Sequence, residues 1–200
     1  MAPAWATVRV LRLQSFEDKG KEVYLHPVLR NIRELHDVPI EVTAEVATAE
    51  PPWRITRMSG CVLQHDAPVP EMLAPAGLPA LTTLELTEAY GGTSIAARIG
   101  ALLRSPLGKQ LELLRFRVYP NSLGEYAAEV LAHARVAVEI DVYRATLRFE
   151  RGALTATGDY GDEPFTPILA QLPAKTFRSV TIAEGLRSPA VTRAATRLKK

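Results

Sequence analysis

LPALTTLELTEAYGGTSIAARIGALLRSPLGKQLELLRFRVYPNSLGEYAAEVLAHARVAVEIDVY, residues 78–143, holds the same strand core three times, with a turn and a helical segment after each of the first two. A strand-like core, Leu84-Glu85-Leu86, is followed by a glycine-containing turn and an amphipathic helical segment. The next core, Leu114-Arg115-Phe116, begins 30 positions later (114 − 84), and Val138-Glu139-Ile140 begins 24 after that (138 − 114). A strand-turn-helix unit recurring at that spacing is the mark of a stacked repeat, in which each unit buries its apolar face against the next.

The flanks are read outward from this centre. Residues 6–14 form an apolar, β-branched run and predict a strand. Over 23–38, Leu25, Val28, Leu29, Ile32 and Leu35 recur at threes and fours, which predicts a helix. Alternation over 40–46 predicts a second strand, and 54–58 a short third; 61–77 is interrupted by Pro68, Pro70 and Pro75. Thr93 or Ser94 caps a helix to about Leu103, which Ser105-Pro106-Leu107-Gly108 ends. Residues 111–118 predict a strand, Asn121 or Ser122 caps the next helix, and 136–143 is a strand again. Residues 145–149 and 153–157 read as a hairpin across Glu150-Arg151-Gly152. A short helix over 163–172, a strand over 177–183 and a final helix opened by Ser188-Pro189 complete the chain.

Apolar-x-apolar cores then begin at Leu11, Ile40, Ile55, Leu84, Leu114, Val138, Leu154 and Val180. Five of the seven intervals fall between 24 and 30, and the other two are 15 and 16.

Leu81-Thr-Thr-Leu84-Glu-Leu86 and Leu111-Glu-Leu-Leu114-Arg-Phe116 resemble the LxxLxL opening of long, helix-containing, ribonuclease-inhibitor-like leucine-rich repeats. Ile99-Gly-Ala-Leu102-Leu103-Arg-Ser105-Pro106 is similar to the helix ends of such repeats in bacterial proteins. Where that family carries Asn after the strand, this chain has Ala89 and Tyr119. The expected fold is therefore α/β, an irregular leucine-rich-repeat-like solenoid with a mostly parallel curved sheet and helices on one side. It forms one repeat-type domain over 1–200, best formed over 78–143 and irregular over 47–77 and 144–162. The resemblance implies protein recognition on the strand face and brings no catalytic residues with it.

Composition agrees with a globular chain of 200 residues: 47% are hydrophobic, 23% charged, and the formal net charge is only +2. That charge does not by itself point to nucleic acid or membrane. A single cysteine, Cys61, excludes an intrachain disulfide, and no window approaches 18 uninterrupted apolar residues. No secretory signal pattern is evident at the start, so a cytoplasmic location is expected, and the chain could be a piece of a longer protein.

In each core the middle residue points away from the helices. The open face is then expected to show Arg12, Glu41, Thr56, Glu85, Arg115, Glu139, Thr155 and Thr181, with Thr83, Thr87, Arg117 and Asp141 as neighbours. Arg115 would lie between Glu85 and Glu139, in a charge stripe suited to a protein partner. The plainer reading of the same residues is a solvated sheet face whose charges avoid repulsion.

Little else points to chemistry. His26 and His36 are ten apart with no Cys or carboxylate cluster beside them, so no metal or other cofactor is expected. Cys61 near His65 and Gly91-Gly92-Thr93-Ser94 before a helix are read as structural, and no P-loop, GxGxxG or GxSxG occurs. The expected function is thus a non-enzymatic protein-interaction module of bacterial type. One alternative is a small enzyme or regulatory subunit with a site in the loops at 90–93 and 119–121. The other is a nucleic-acid-associated protein using the basic tail, Arg187, Arg193, Arg197, Lys199 and Lys200.

Overall fold

Leu11, Leu35, Met58 and Leu84 face one another in turn across four neighbouring parallel strands. These are β1 (Val10–Arg12), β2 (Glu34–His36), β3 (Arg57–Leu63) and β4 (Thr83–Glu88). They belong to the first of two compact units in a computed structural model, which describes residues 8–12, 26–38, 46–63, 76–88, 95–158 and 165–200. The first unit comprises residues 1–93 and 105–112, and the second residues 94–104 and 113–200.

In the first unit the register residues lie 24, 23 and 26 positions apart (35 − 11, 58 − 35, 84 − 58). Three positions before each of the last three stands another buried aliphatic residue: Ile32, Ile55 and Leu81. Two positions before each of the first three core residues, a carbonyl takes two successive amides from the following turn. Arg33 and Glu34 donate to the Arg9 carbonyl, Thr56 and Arg57 to that of Arg33, and Thr82 and Thr83 to that of Thr56. The Thr56 and Thr82 hydroxyls add bonds of 3.1 and 3.3 Å to the same carbonyls of Arg33 and Thr56. Backbone groups leaving a turn must be satisfied, and here the neighbouring turn satisfies them. Helix α2 (Pro106–Gln110) also lies in this unit, and its Gln110 Nε2 donates to the carbonyls of Leu78 and Leu81, both at 2.8 Å.

The second unit holds β5 (Leu113–Val118), β6 (Ala137–Val142), β7 (Ala145–Glu150), β8 (Ala153–Gly158) and β9 (Ser179–Ile182). Pairs β5–β6 and β8–β9 are parallel, while β6–β7 and β7–β8 are antiparallel. Leu114, Val138, Phe149, Leu154 and Val180 lie in one row, and Phe116, Ile140, Leu147, Ala156 and Ile182 in the next apolar one. Helices α1 (Ala96–Arg104) and α3 (Leu123–His133) pack on each other, and Tyr126 of α3 lies 5.7 Å from Phe116, ring to ring. Helices α4 (Thr166–Ala170) and α5 (Pro189–Leu198) follow β8 and β9. Ser188 caps α5 by accepting the Val191 amide at 3.1 Å. Arg197 of α5 donates to the carbonyls of Leu169 and Leu172, both at 2.9 Å, closing the open end of α4. Among the described residues the fold is α/β, with strands paired in parallel in five of seven described pairs.

Several expectations are corrected. The helix over 23–38 is a 3₁₀ turn, Pro27–Asn31, followed by β2. Its apolar spacing is real, but Ile32 and Leu35 are buried as the entry and centre of a strand, whose backbone bonds to flanking strands. The strand over 40–46 has its first six residues outside the described set, and Val46 is in a buried helical turn. The third strand begins at Arg57 rather than Arg54, because Thr56 is a turn residue of the carbonyl ladder. With the cores moved to Leu35 and Met58, the 15-residue interval vanishes. Ser105 does not merely end a helix: its Oγ accepts the Gly108 amide at 3.1 Å and starts α2. The β7–β8 hairpin turns on two residues, Arg151 (φ 49°) and Gly152 (φ 80°), not three. Tyr143 (φ 57°) and Arg144 form a second such link that ties β7 to β6.

Candidate functional site

The second unit presents one polar row across five strands: Arg115, Glu139, Arg148, Thr155 and Thr181. Beside it run Arg117, Asp141, Thr146 and Thr157. Arg115 and Glu139 are opposite in register, but their closest approach is 4.0 Å. The stronger bond is diagonal: Arg115 Nε and Nη2 grip the two oxygens of Asp141 at 2.9 and 3.1 Å. The long guanidinium side chain makes the diagonal neighbour reachable, and the forked geometry favours it. Thr146 Oγ1 donates to Asp141 at 2.6 Å. Glu139 turns instead to Arg148, which donates to it at 2.8 Å and to Glu150 at 3.0 Å.

The result is a chain of groups, Thr146–Asp141–Arg115–Glu139–Arg148–Glu150, with three carboxylates against two guanidiniums. Glu139 and Asp141 are each only 17% exposed, whereas the two arginines are about 40% exposed. Bonds from Glu150 and then Glu139 raise the Arg148 pKa above the ordinary guanidinium value, so its charge persists at any working pH. At the end of this face Tyr119 and Tyr143 follow the register pair Val118–Val142 and stand about half exposed.

The first unit presents a different row. Arg12 is opposite His36 in register and pairs with Asp37 at 3.2 Å. His36 Nδ1 meets Ser59 Oγ at 2.5 Å, and its Nε2 lies 3.3 Å from Glu34 Oε2. Arg57 bonds Glu85, while the Arg57 Nε is shielded from solvent and has no hydrogen-bond partner among the described residues. Thr83 is opposite Arg57 on β4. Glu41 lies outside the described residues, as does the Thr87 side chain. Thr56 serves the carbonyl ladder rather than a strand.

Sequence reading missed Arg148, because β7 was paired only with β8; the two-residue link Tyr143-Arg144 between alternating runs is the signal that would have shown it. It does not find Glu34 and His36 as strand residues because the spacing over 23–38 predicts a helix, nor Ser59, because the third strand is predicted to end at Met58. The loop at 90–93 lies outside the described residues. Of the basic tail, Arg187 donates to the Ile182 carbonyl at 3.0 Å and Arg197 is engaged with α4. A recess of about 260 Å³ under the β7–β8 hairpin is lined by apolar Leu131, Val136, Phe149 and Phe177 and by polar Glu150, Arg151, Thr176 and Lys200. Among the described residues no group of three or more His, Cys, Asp or Glu is placed to hold a metal ion, and no helix is long and apolar enough to cross a membrane. No protein-family model, curated protein or solved structure matches this chain.

Proposed function

We propose that the chain is a recognition module built on irregular leucine-rich-repeat-like turns, binding a protein partner through the polar strand face of the second unit. The repeat reading is supported by the core intervals of 24, 23 and 26 and by the bifurcated carbonyl ladder. Stacked repeats commonly bind across an extended strand face. From the same reading we infer a cytoplasmic protein of bacterial type, with which a single cysteine is compatible.

The observation that carries the proposal is the Arg115–Asp141 and Arg148–Glu139–Glu150 network ending at exposed Tyr119 and Tyr143. Charges held by neighbours lose little freedom on binding, and fixed alternation of sign favours one partner register over others. Tyrosines at the end of such a face supply contact area at small entropic cost. No chemical step is needed for this role.

The test is affinity capture from native lysate, followed by binding of the purified captured protein to three chains: wild type, Arg115→Ala/Arg148→Ala, and Tyr119→Ala/Tyr143→Ala. Each double variant is expected to bind at least tenfold more weakly while keeping the wild-type circular dichroism. Equal binding by both folded variants would move the interface off this face.

A further inference from the structure

Glu34 and His36 share one face of β2, two residues apart, and Ser59 follows Met58 on β3, directly beyond the pair Leu35–Met58. The strand pairing therefore brings a hydroxyl, an imidazole and a carboxylate into line. Ser59 Oγ is 2.5 Å from His36 Nδ1, and His36 Nε2 is 3.3 Å from Glu34 Oε2. A carboxylate accepts only, so it selects the tautomer with hydrogen on Nε2. Nδ1 is then an acceptor, and the serine O–H is its donor. This is the order of roles that activates a serine: nucleophile, base, and a third group that orients the base.

The local backbone is shaped to hold this line. Met58 faces Leu84 and Cys61 faces Leu86, so β3 carries one extra residue at Ser59-Gly60. Gly60 takes φ 73°, and a Cβ there would lie 2.7 Å from Asp37 Cα and 2.9 Å from Asp37 N. Asp37 is itself left-handed, at φ 55°. Bulges of this kind re-aim a side chain beside a functional group. Ser59 is buried and the His36 side chain is 17% exposed, so bulk water competes little for the Ser59–His36 bond. Arg57, two residues before Ser59 on the same strand, has a solvent-shielded Nε with no acceptor among the described residues. Such a donor suits a carbonyl oxygen as it becomes negative.

We propose that Ser59 is a nucleophile for acyl transfer from a carboxylic ester, with His36 as its general base and Glu34 as a positioning residue. Ser59 Oγ bonds to the ester carbonyl carbon as its proton passes to His36 Nδ1. The carbon–oxygen bond to the alcohol breaks, and His36 returns the proton to that leaving oxygen. Water then attacks the Ser59 ester, again losing its proton to His36, which hands it back to Ser59 as the carboxylic acid departs. The sum is ester plus water to acid plus alcohol. All these groups lie in the first unit, so the inference stands apart from the recognition reading and replaces the expectation of a wholly non-enzymatic chain.

The full chain is treated with an alkyl fluorophosphonate, whose phosphorus takes Ser59 Oγ as fluoride leaves. Peptide mass spectrometry is expected to find one adduct, on Ser59, and His36→Gln to slow its formation about 100-fold. Glu34→Gln, at a side chain 41% exposed, keeps the test open should His36→Gln fail to fold. It is expected to slow labelling about tenfold without changing the half-saturating probe concentration, and Glu34→Asp to recover part of the rate. No adduct on Ser59 in a folded chain, or labelling of the folded Glu34→Gln chain at the wild-type rate, overturns the proposal.

Discussion

The two units start their strands alike and finish them differently. In the first, β1 and β2 are three residues long, β3 is longer but carries a bulge, and β4 alone runs six residues without one; in the second, β5 to β8 are six each. The difference lies at the position two after the core residue. After Leu35 and Met58 it is held by Asp37 and Gly60, both with positive φ. After Leu114, Val138, Leu154 and Val180 it is held by Phe116, Ile140, Ala156 and Ile182, all buried. A second inward apolar residue extends the strand, whereas a left-handed residue ends or bulges it. Longer strands align charges into a continuous network. Interrupted ones leave a few polar groups turned on one another, as at His36 and Ser59.

The largest effect expected is in the apolar rows, of which each unit has its own. Leu84→Ala and Leu114→Ala, at fully buried sites, should each lower stability by about 2–5 kcal/mol in urea unfolding. A loss below about 1 kcal/mol at either site would show that its row is not packed as a core. Next comes the position that separates the units. Gly60→Ala combines a φ of 73° with a 2.7 Å approach to Asp37 and should cost about 1–3 kcal/mol. Gly124→Ala, where the nearest atom is 3.5 Å from the added Cβ, should be neutral or gain about 0.5 kcal/mol by thermal melting. Similar costs at both glycines would remove bulge geometry as the distinction. Caps make a finer comparison: Ser105→Ala in the first unit and Ser188→Ala in the second should each lose about 1 kcal/mol. The smallest effect is on the polar face. Arg148→Ala removes bonds to Glu139 and Glu150 but from a side chain 40% exposed, so about 0.5 kcal/mol, shrinking in high salt, is expected. A salt-independent loss would mean that packing of the Arg148 stem, not its charge, stabilises the face.

The sequence by itself determined those turns in which apolar residues stand three before, at and two after the core, as in Leu81, Leu84, Leu86 and Leu111, Leu114, Phe116. There the period-two pattern admits one assignment, and the polar row Arg115, Glu139, Thr155, Thr181 follows from it. It also determined the Ser188 cap, since a serine before proline at a helix start is a local arrangement. Only the tertiary structure decided β2. Leu29, Ile32 and Leu35 fit a helix face as well as a turn entering a strand, and the choice is made by hydrogen bonds from β1 and β3. It likewise decided that β7 folds back on β6 and places Arg148 between Glu139 and Glu150. The line from Glu34 through His36 to Ser59 spans 23 residues between the last two (59 − 36) and has no local pattern at all. Strand register alone brings those groups together, because it is set by long-range pairing of buried rows rather than by any residue's own preference.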